Sequence, residues 1–272
     1  MRLRLECDTD EHRTLMINPF QYGNVVGGDA FCNRTDELRD LKRAFQNGEK
    51  LFVYSERRLG KTSLVRTALN RLPRKEFVAA YVDLWPTDSE ASFATATAKA
   101  ISMAVASTPK QMLDAAKKMF SRLVPSVSVG EDGKPTVHFG AVTPRQSEAE
   151  LEEVLGAPAA IAAQEKRKVA IVFDEIQRIL EYGSDLPERK LRSVIQHQAN
   201  VCYLFLGSRK HLIQKMFLDK SRPLYRSAGH YPLGPIDEQH WVKFIQERFK
   251  STNKTINDET IREVHRLTEG HP

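Results

Sequence analysis

The sequence predicts an α/β fold built around a central parallel sheet. Three observations support this: a short apolar segment leads through GKT into a helix, a run of five apolar residues ends in Asp-Glu, and further apolar segments alternate with helical ones. The carboxyl ends of parallel strands share one edge of the sheet, where ligands bind. The 272 residues, 41% of them hydrophobic, are enough to form a full core.

The stretch at residues 51–69 has the strand, turn and helix that a phosphate-binding loop requires. Gly60, Lys61 and Thr62 form the second half of the GxxxxGK[ST] motif, in which backbone N–H groups hold phosphates, the lysine reaches them and the hydroxyl binds Mg²⁺. Ser55 replaces the first glycine of the motif, so we expect its φ to be negative. Taken alone, the tripeptide also fits a surface turn before a helix.

The elements around this stretch follow from apolar periodicity and from proline and glycine positions. In chain order they are a helix around 38–45, a strand at 77–86, two helices within 92–123, a hairpin at 125–140 and a helix at 146–164, which Gly156 and Pro158 could split. The unbroken apolar character of the strand at 77–86 suits burial on both faces of the sheet. The hairpin interrupts the alternation, so we interpret it as an insertion, either a flap or a probe for a partner or nucleic acid.

A second motif follows at residues 169–173, which are all apolar and lead into Asp174 and Glu175. In such a Walker B strand the aspartate holds Mg²⁺, usually through water, and the glutamate polarises the attacking water. An apolar run with an acidic pair is by itself common at the junction of a strand and a helix. Its pairing with the GKT motif makes the prediction of a nucleotide site strong.

Beyond it, a basic helix at 186–198 precedes an apolar strand at 201–206, and Ser208 follows that strand. A polar residue at this position can sense a γ-phosphate, although a serine after glycine is also a good turn residue. Arg222 and Arg226 precede a short edge strand at 231–236, where an arginine can be directed at a γ-phosphate or can pair with a surface carboxylate. Two amphipathic helices at 237–250 and 257–268 predict a helical lid.

The remaining composition narrows the class of protein. The formal charge of +6 and the pI near 9.2 fit contact with nucleic acid and equally fit a solvated surface. The three cysteines form no metal or disulfide pattern. The amino end has no apolar signal segment, which indicates a cytoplasmic protein.

The assembled motifs resemble the archaeal and bacterial ATPase family of the STAND and AAA+ branch of P-loop NTPases. The matching strings are NPFxYG, FCNRTDEL, YSERRLGKTSL, YVDLWPT, VFDEIQ, FLGSRKHLI, SRPLYRSA, PLGPI, WVKFIQERF and TEGHP. The resemblance implies a three-layer fold with a parallel sheet of order 5-1-4-3-2. It also implies an ATPase core at 18–236, a truncated lid at 237–272, and usually a winged-helix domain beyond it. Residues 1–17 have mixed charge and little periodicity, which predicts a poorly ordered terminus.

The resemblance also implies the roles of individual residues, with ATP and Mg²⁺ as cofactors. Thr62 and Asp174 would hold the metal, and Glu175, Ser208 and Arg226 would take part in catalysis. The nucleotide would be bound by Ser55, Arg57, Arg58, Leu59, Gly60, Lys61, Thr62 and Ser63 at the phosphates, and by Pro19, Phe20, Tyr22, Arg34, His271 and Pro272 near the adenine or the lid.

Three functions fit these patterns. The leading one is slow hydrolysis of MgATP in a nucleotide-dependent switch or motor, with a homo-oligomer and a DNA or protein partner as further expectations. The second is a nucleotide-gated adaptor for DNA or protein with little or no hydrolysis. A small-molecule kinase is disfavoured, because the Asp-Glu pair, the polar residue after the fourth core strand and the lid helices follow the phosphate loop.

Overall fold

The computed structural model describes residues 18–21, 25–130, 133–140 and 147–271. They divide into two compact units, one of residues 34–234 and one in which residues 18–33 join residues 235–271. This division differs from the predicted one, in which residues 18–33 belong to the core. None of the helices in the described ranges is long and apolar enough to cross a membrane.

The larger unit alternates helices and strands. Its elements are α1 (Thr35–Asn47), β1 (Lys50–Tyr54), α2 (Lys61–Asn70), β2 (Phe77–Asp83), α3 (Glu90–Val105), α4 (Pro109–Met119), β3 (Pro125–Val129), β4 (Pro135–Phe139), α5 (Ser147–Glu165), β5 (Lys168–Asp174), α6 (Leu186–Ile195), β6 (Val201–Gly207), α7 (Lys210–Leu218) and β7 (Gly229–Pro232). The smaller unit contains α8 (Glu238–Lys250) and α9 (Asp258–Thr268).

Five strands form one parallel sheet in the order β2-β5-β6-β1-β7. With the hairpin strands β3 and β4 left out of the count, this is the predicted order 5-1-4-3-2 viewed from the other edge. Because β6 lies between β1 and β5, the carboxyl ends of the phosphate-loop strand and the acidic strand lie one strand apart. The sheet therefore brings the two motifs to the same edge.

The burial of the strands follows their position in the sheet. All residues of β6 and all but the first of β5 are buried, as expected for strands covered by helices on both faces. The prediction that the strand at 77–86 is buried on both faces was wrong in part, because β2 is an edge strand in which Ala79 and Tyr81 are only half-buried. The fifth strand is an edge strand as predicted, but it spans Gly229–Pro232 rather than 231–236.

The insertion forms the predicted antiparallel hairpin, with Val127 opposite Val137. Val137 is completely buried, and Phe139 packs edge-to-face on Phe120 with ring centroids 5.8 Å apart. The hairpin is therefore part of the hydrophobic core. Helix α5 continues through Pro158 without splitting, because Leu151, Val154, Leu155 and Ile161 bury its inner face.

Candidate nucleotide-binding site

The phosphate loop connects β1 to α2 and contains two residues in the left-handed region. Gly60 has φ 79° and Arg58 has φ 63°, whereas Ser55 does not have a positive φ, as expected for a residue other than glycine. Left-handed residues within a turn direct successive backbone N–H groups into a concave surface that suits anions. The loop is followed by the N-terminus of α2, whose dipole also favours negative charge.

Lys61 is buried at the start of α2, with 7% of its surface exposed. Its Nζ donates to Ser55 Oγ at 2.7 Å, to the Glu56 carbonyl at 3.0 Å and to the Ser55 carbonyl at 3.4 Å. Burial lowers the pKa of Lys61, and the nearby charges of Glu175 and Asp174 partly oppose this shift. The ammonium group is thus hydrogen-bonded to neutral oxygens, for which phosphate oxygens are stronger partners.

Asp174 is the last residue of β5, and only 8% of its surface is exposed. Its Oδ2 accepts a 3.1 Å hydrogen bond from Thr62 Oγ1 and a second one from the Tyr81 hydroxyl, while Oδ1 accepts from the Glu175 amide at 2.9 Å. Burial raises the pKa of Asp174, and the charge of Glu175 raises it further, although the hydrogen bond from Tyr81 opposes the shift. The contact with Thr62 joins the two predicted motifs across the sheet.

Tyr81 was missed by the sequence analysis. The parallel register of β2 and β5 places Asp83 beside Asp174, so that Tyr81 lies two residues back on the neighbouring strand. Burial and the charge of Asp174 both raise the pKa of Tyr81 above its ordinary value, which keeps the hydroxyl protonated as a donor. Sequence periodicity gives no signal for this contact, because it depends on the register between strands that are far apart in sequence.

Glu175 has a left-handed backbone, with φ 55° and ψ 41°, and precedes a 3-10 turn at Ile176–Glu181. Its Oε2 accepts hydrogen bonds from Ser208 Oγ at 2.9 Å and from Gln177 Nε2. The structure therefore brings Ser208 to Glu175 and adds Gln177, another residue that the sequence analysis missed. The side chain of Gln177 packs closely against Gly207. A Cβ at position 207 would lie 2.6 Å from Gln177 Oε1, so glycine is needed for this contact.

The other loop residues differ in exposure. Leu59 and Ser63 are buried, whereas Arg57 and Arg58 are exposed. Arg34, which the resemblance assigns to the adenine, is 5% exposed, and its guanidinium donates to the carbonyls of Leu59 at 3.3 Å and Gly234 at 2.8 Å. These two bonds fasten the phosphate loop to the end of the β7 segment.

The two arginines before β7 each contact another side chain. Arg222 forms an ion pair with Glu188, a carboxylate of α6 that is 1% exposed. Arg226 is exposed, and its guanidinium lies 5.1 Å from the centre of the Tyr225 ring. The expectation that an arginine before β7 pairs with a carboxylate is met by Arg222, although the partner is buried rather than on the surface.

The remaining predicted nucleotide contacts belong to the smaller unit. Phe20 packs edge-to-face against Phe244 and Phe249 of α8, with ring centroids 6.5 and 6.0 Å apart. The His271 amide donates to the Thr268 carbonyl at 2.9 Å, in a turn that follows α9. Pro19, adjacent to Phe20, is half-buried, whereas Tyr22 and Pro272 lie outside the described residues.

The order of the sheet, the GKT loop at the end of β1 and the acidic pair at the end of β5 define a P-loop NTPase. The chain belongs to the family of ATPase domains found predominantly in Archaea, whose model matches residues 31–272. The family confirms the resemblance to P-loop ATPases inferred from the sequence motifs. Among curated proteins, no sequence matches this chain.

Several solved structures share the fold. The Walker-type ATPase PABY2304 of Pyrococcus abyssi has a TM-score of 0.61 at 20% identity, over 90% of this chain and 65% of that one. Aeropyrum pernix ORC1 in complex with DNA has a TM-score of 0.52 at 15% identity, over 82% and 51%. The Aeropyrum pernix ORC2 protein with ADPNP and ADP has a TM-score of 0.50 at 12% identity, over 80% and 51%. The chain therefore spans about two thirds of the first neighbour and half of the other two.

Proposed function

We propose that this protein binds MgATP and hydrolyses it slowly, so that the bound nucleotide acts as a switch or drives a motor. The observation that carries the proposal is the 3.1 Å hydrogen bond from Thr62 Oγ1 to Asp174 Oδ2. Residues 112 positions apart meet where a phosphate loop and a metal-binding carboxylate must meet. A surface turn before a helix would not require this contact.

The residues at this point fit a magnesium ion. Mg²⁺ prefers oxygen ligands and is commonly held by one or two protein groups together with waters and substrate phosphates. The Thr62 hydroxyl and the Asp174 carboxylate supply such oxygens, and no group of three or more His, Cys, Asp or Glu side chains in the described residues forms an all-protein metal site. When bound, Mg²⁺ would neutralise charge on the phosphates.

The remaining groups would act on the phosphates and the water. The Lys61 ammonium would exchange its bonds to Ser55 and Glu56 for bonds to phosphate oxygens. The Glu175 carboxylate would orient a water and take its proton, and Ser208, which donates to Glu175, would respond to the terminal phosphate. The assignment of Pro19, Phe20, Tyr22, Arg34, His271 and Pro272 to the nucleotide rests on the family resemblance, as does a catalytic role for Arg226.

A second candidate is a nucleotide-gated adaptor for DNA or protein with little or no hydrolysis. The observation that favours it is the engagement of Glu175 Oε2 by both Ser208 and Gln177, which leaves this oxygen occupied by donors. Aeropyrum pernix ORC1, which shares the fold, was solved in complex with DNA. Under either candidate we propose a cytoplasmic protein with a DNA or protein partner and a homo-oligomeric state.

The two candidates are separated by measuring ATP affinity and ATP turnover on the same preparation, with and without duplex DNA. The first predicts turnover that requires Mg²⁺ in at least one condition. Tight binding with no turnover in either condition would favour the adaptor. Absence of nucleotide binding altogether would refute both.

A further inference from the structure

A groove of about 620 Å³ runs along the open edge of the sheet. One wall is β2, the terminal strand, and among the described residues no strand pairs with its outer side. The other walls come from α2 and from the end of α3, where Met103 exposes 40% of its surface. An unpaired strand edge is a template for another extended chain.

The hydrogen-bond ladder shows which backbone groups face this groove. Lys168 donates its amide to the Glu76 carbonyl and Leu84 donates to the Asp174 carbonyl, so the even-numbered residues of this strand segment bond to β5. In a parallel sheet, successive residues of a strand direct their backbone groups to opposite sides. The odd-numbered residues of β2 therefore direct their N–H and C=O groups outward, away from β5. Three of them, Phe77, Ala79 and Tyr81, line the groove.

At the beginning of β2, the outward backbone groups of Phe77 already have hydrogen-bond partners. Arg167 donates from Nη2 to the Phe77 carbonyl at 2.6 Å and forms a second bond to the Arg74 carbonyl, and the Phe77 amide donates to the Pro73 carbonyl. The main-chain groups that remain for another strand are therefore those of Ala79 and Tyr81. They alternate donor and acceptor, which complements a peptide backbone and not a phosphate chain, because phosphates only accept hydrogen bonds.

The positive charge of the groove indicates what kind of peptide would bind there. Its described lining includes three arginines and no Asp or Glu. The Arg167 side chain pairs with Glu165 at 2.8 Å, whereas Arg74 is exposed and Arg66 stacks 4.3 Å from the centre of the Tyr81 ring. Arg66 and Arg74 therefore leave positive charge in the groove for an acidic ligand.

We propose that this groove binds an extended acidic segment of a partner protein, which adds to the sheet as a strand beside β2. Residues 77–81 span about 17 Å at ~3.3 Å per residue, so a segment of five or six residues fills the groove. Acidic side chains of the segment meet Arg66 and Arg74, and its alternate apolar side chains pack near Met103.

The test uses a fluorescein-labelled six-residue peptide of alternating Glu and Val, titrated with the protein while fluorescence anisotropy is measured. Three matched probes accompany it: the same peptide with Lys for Glu, the same peptide N-methylated on the amides of one edge, and a labelled dT oligonucleotide. We expect binding of the first peptide and at least about tenfold weaker binding of both peptide controls. Equal binding of the N-methylated peptide, or preferential binding of the oligonucleotide, would overturn the proposal.

Two variants locate the bound peptide. Ala79→Pro removes an outward N–H and leaves the bonds to β5 in place, because proline is tolerated on edge strands. Arg74→Glu reverses an exposed charge. Each variant should lower the affinity for the peptide by about tenfold, and its circular dichroism spectrum should be unchanged. If Ala79→Pro does not fold, the Arg74→Glu variant alone tests the proposal. An unchanged affinity for the peptide in that variant would contradict it.

Hydrogen exchange supplies a readout at single amides. With saturating peptide, the amides of Ala79 and Tyr81 should exchange at least about tenfold more slowly, whereas those of Val78 and Ala80, already bonded to β5, should not change. Protection spread equally over both sets would indicate a general stabilisation and refute strand addition.

One consequence rests on the proposed ATPase function. Tyr81 lines the groove and also donates to Asp174, so bound peptide should change the affinity for MgATP by a few-fold. Peptide binding and amide protection are measured without nucleotide. If they are observed and the affinity for MgATP does not change, coupling through Tyr81 is excluded and the docking site stands.

Discussion

Lys61 and Asp174 are both buried beside the same loop, but they are held by contacts of different range. The Lys61 ammonium bonds to Ser55 and Glu56, which are six and five residues away in the chain. The Asp174 carboxylate bonds to Thr62 and Tyr81, which are 112 and 93 residues away. One half of the site is thus a local structure, and the other exists only once the sheet has assembled.

This difference predicts the effect of a substitution in each half of the site. A change on the lysine side should remove a phosphate partner and leave the fold intact, because its contacts are local. A change on the carboxylate side should alter metal dependence or stability as well as chemistry, because its partners Thr62 and Tyr81 come from two other elements, α2 and β2. Four experiments test this contrast.

The largest expected effect is loss of nucleotide binding in Lys61→Ala. We expect the affinity for ATP to fall at least about 100-fold, equivalent to ~2.7 kcal/mol, because the buried ammonium at the loop is removed. Isothermal titration measures the affinity, and Lys75→Ala, at an exposed position before β2, is the matched control. Retention of wild-type affinity would remove Lys61 from the phosphate site.

The second experiment is Glu175→Gln. We expect turnover to fall about 100-fold while ATP affinity stays within about threefold, because the amide still accepts from Ser208 but cannot take a proton from water. A coupled phosphate-release assay measures turnover, with Glu76→Gln at an exposed position as the control. Normal turnover in the Glu175 variant would show that this carboxylate is not the base.

The third experiment, Tyr81→Phe, removes one hydroxyl from Asp174. We expect the Mg²⁺ concentration for half-maximal MgATP binding to change by about threefold to tenfold, the range for one hydrogen bond to a charged group that is partly compensated by water. Titration of Mg²⁺ at fixed ATP measures it, and Tyr225→Phe is the control. Identical Mg²⁺ curves would limit Tyr81 to a packing role.

The smallest effect is on stability. Burial raises the pKa of Asp174 above its unfolded value, so the ionised carboxylate disfavours the folded state at pH values above the folded pKa, and this penalty disappears as the pH falls below the unfolded pKa. Asp174→Asn should therefore raise the melting temperature near neutral pH, and the gain should shrink as the solution is made acidic. Melting curves from pH 4 to 8 test this, and a gain independent of pH would assign the effect to packing instead of charge.

The sequence was most informative where the signal is local. The GKT loop, the acidic pair and the apolar segments predicted the elements and both motifs, because apolar periodicity and turn residues act within a few positions. The hairpin at 125–140 was also recognised from alternation around a turn. Errors arose where tertiary packing prevails, as in α5, which remains one helix through Pro158, and in β2, which is exposed along one edge.

The sequence by itself determined the phosphate loop, including a Ser55 backbone that does not need glycine. Only the tertiary structure decided which groups hold the acidic pair. Tyr81 reaches Asp174 through the β2–β5 register, and the side chain of Gln177 fits against residue 207 because glycine leaves room for it. The tertiary structure also places Arg34 against a carbonyl of the phosphate loop and pairs Arg222 with Glu188. Strand register and close packing join residues far apart in the chain, and local sequence patterns carry no information about such distances.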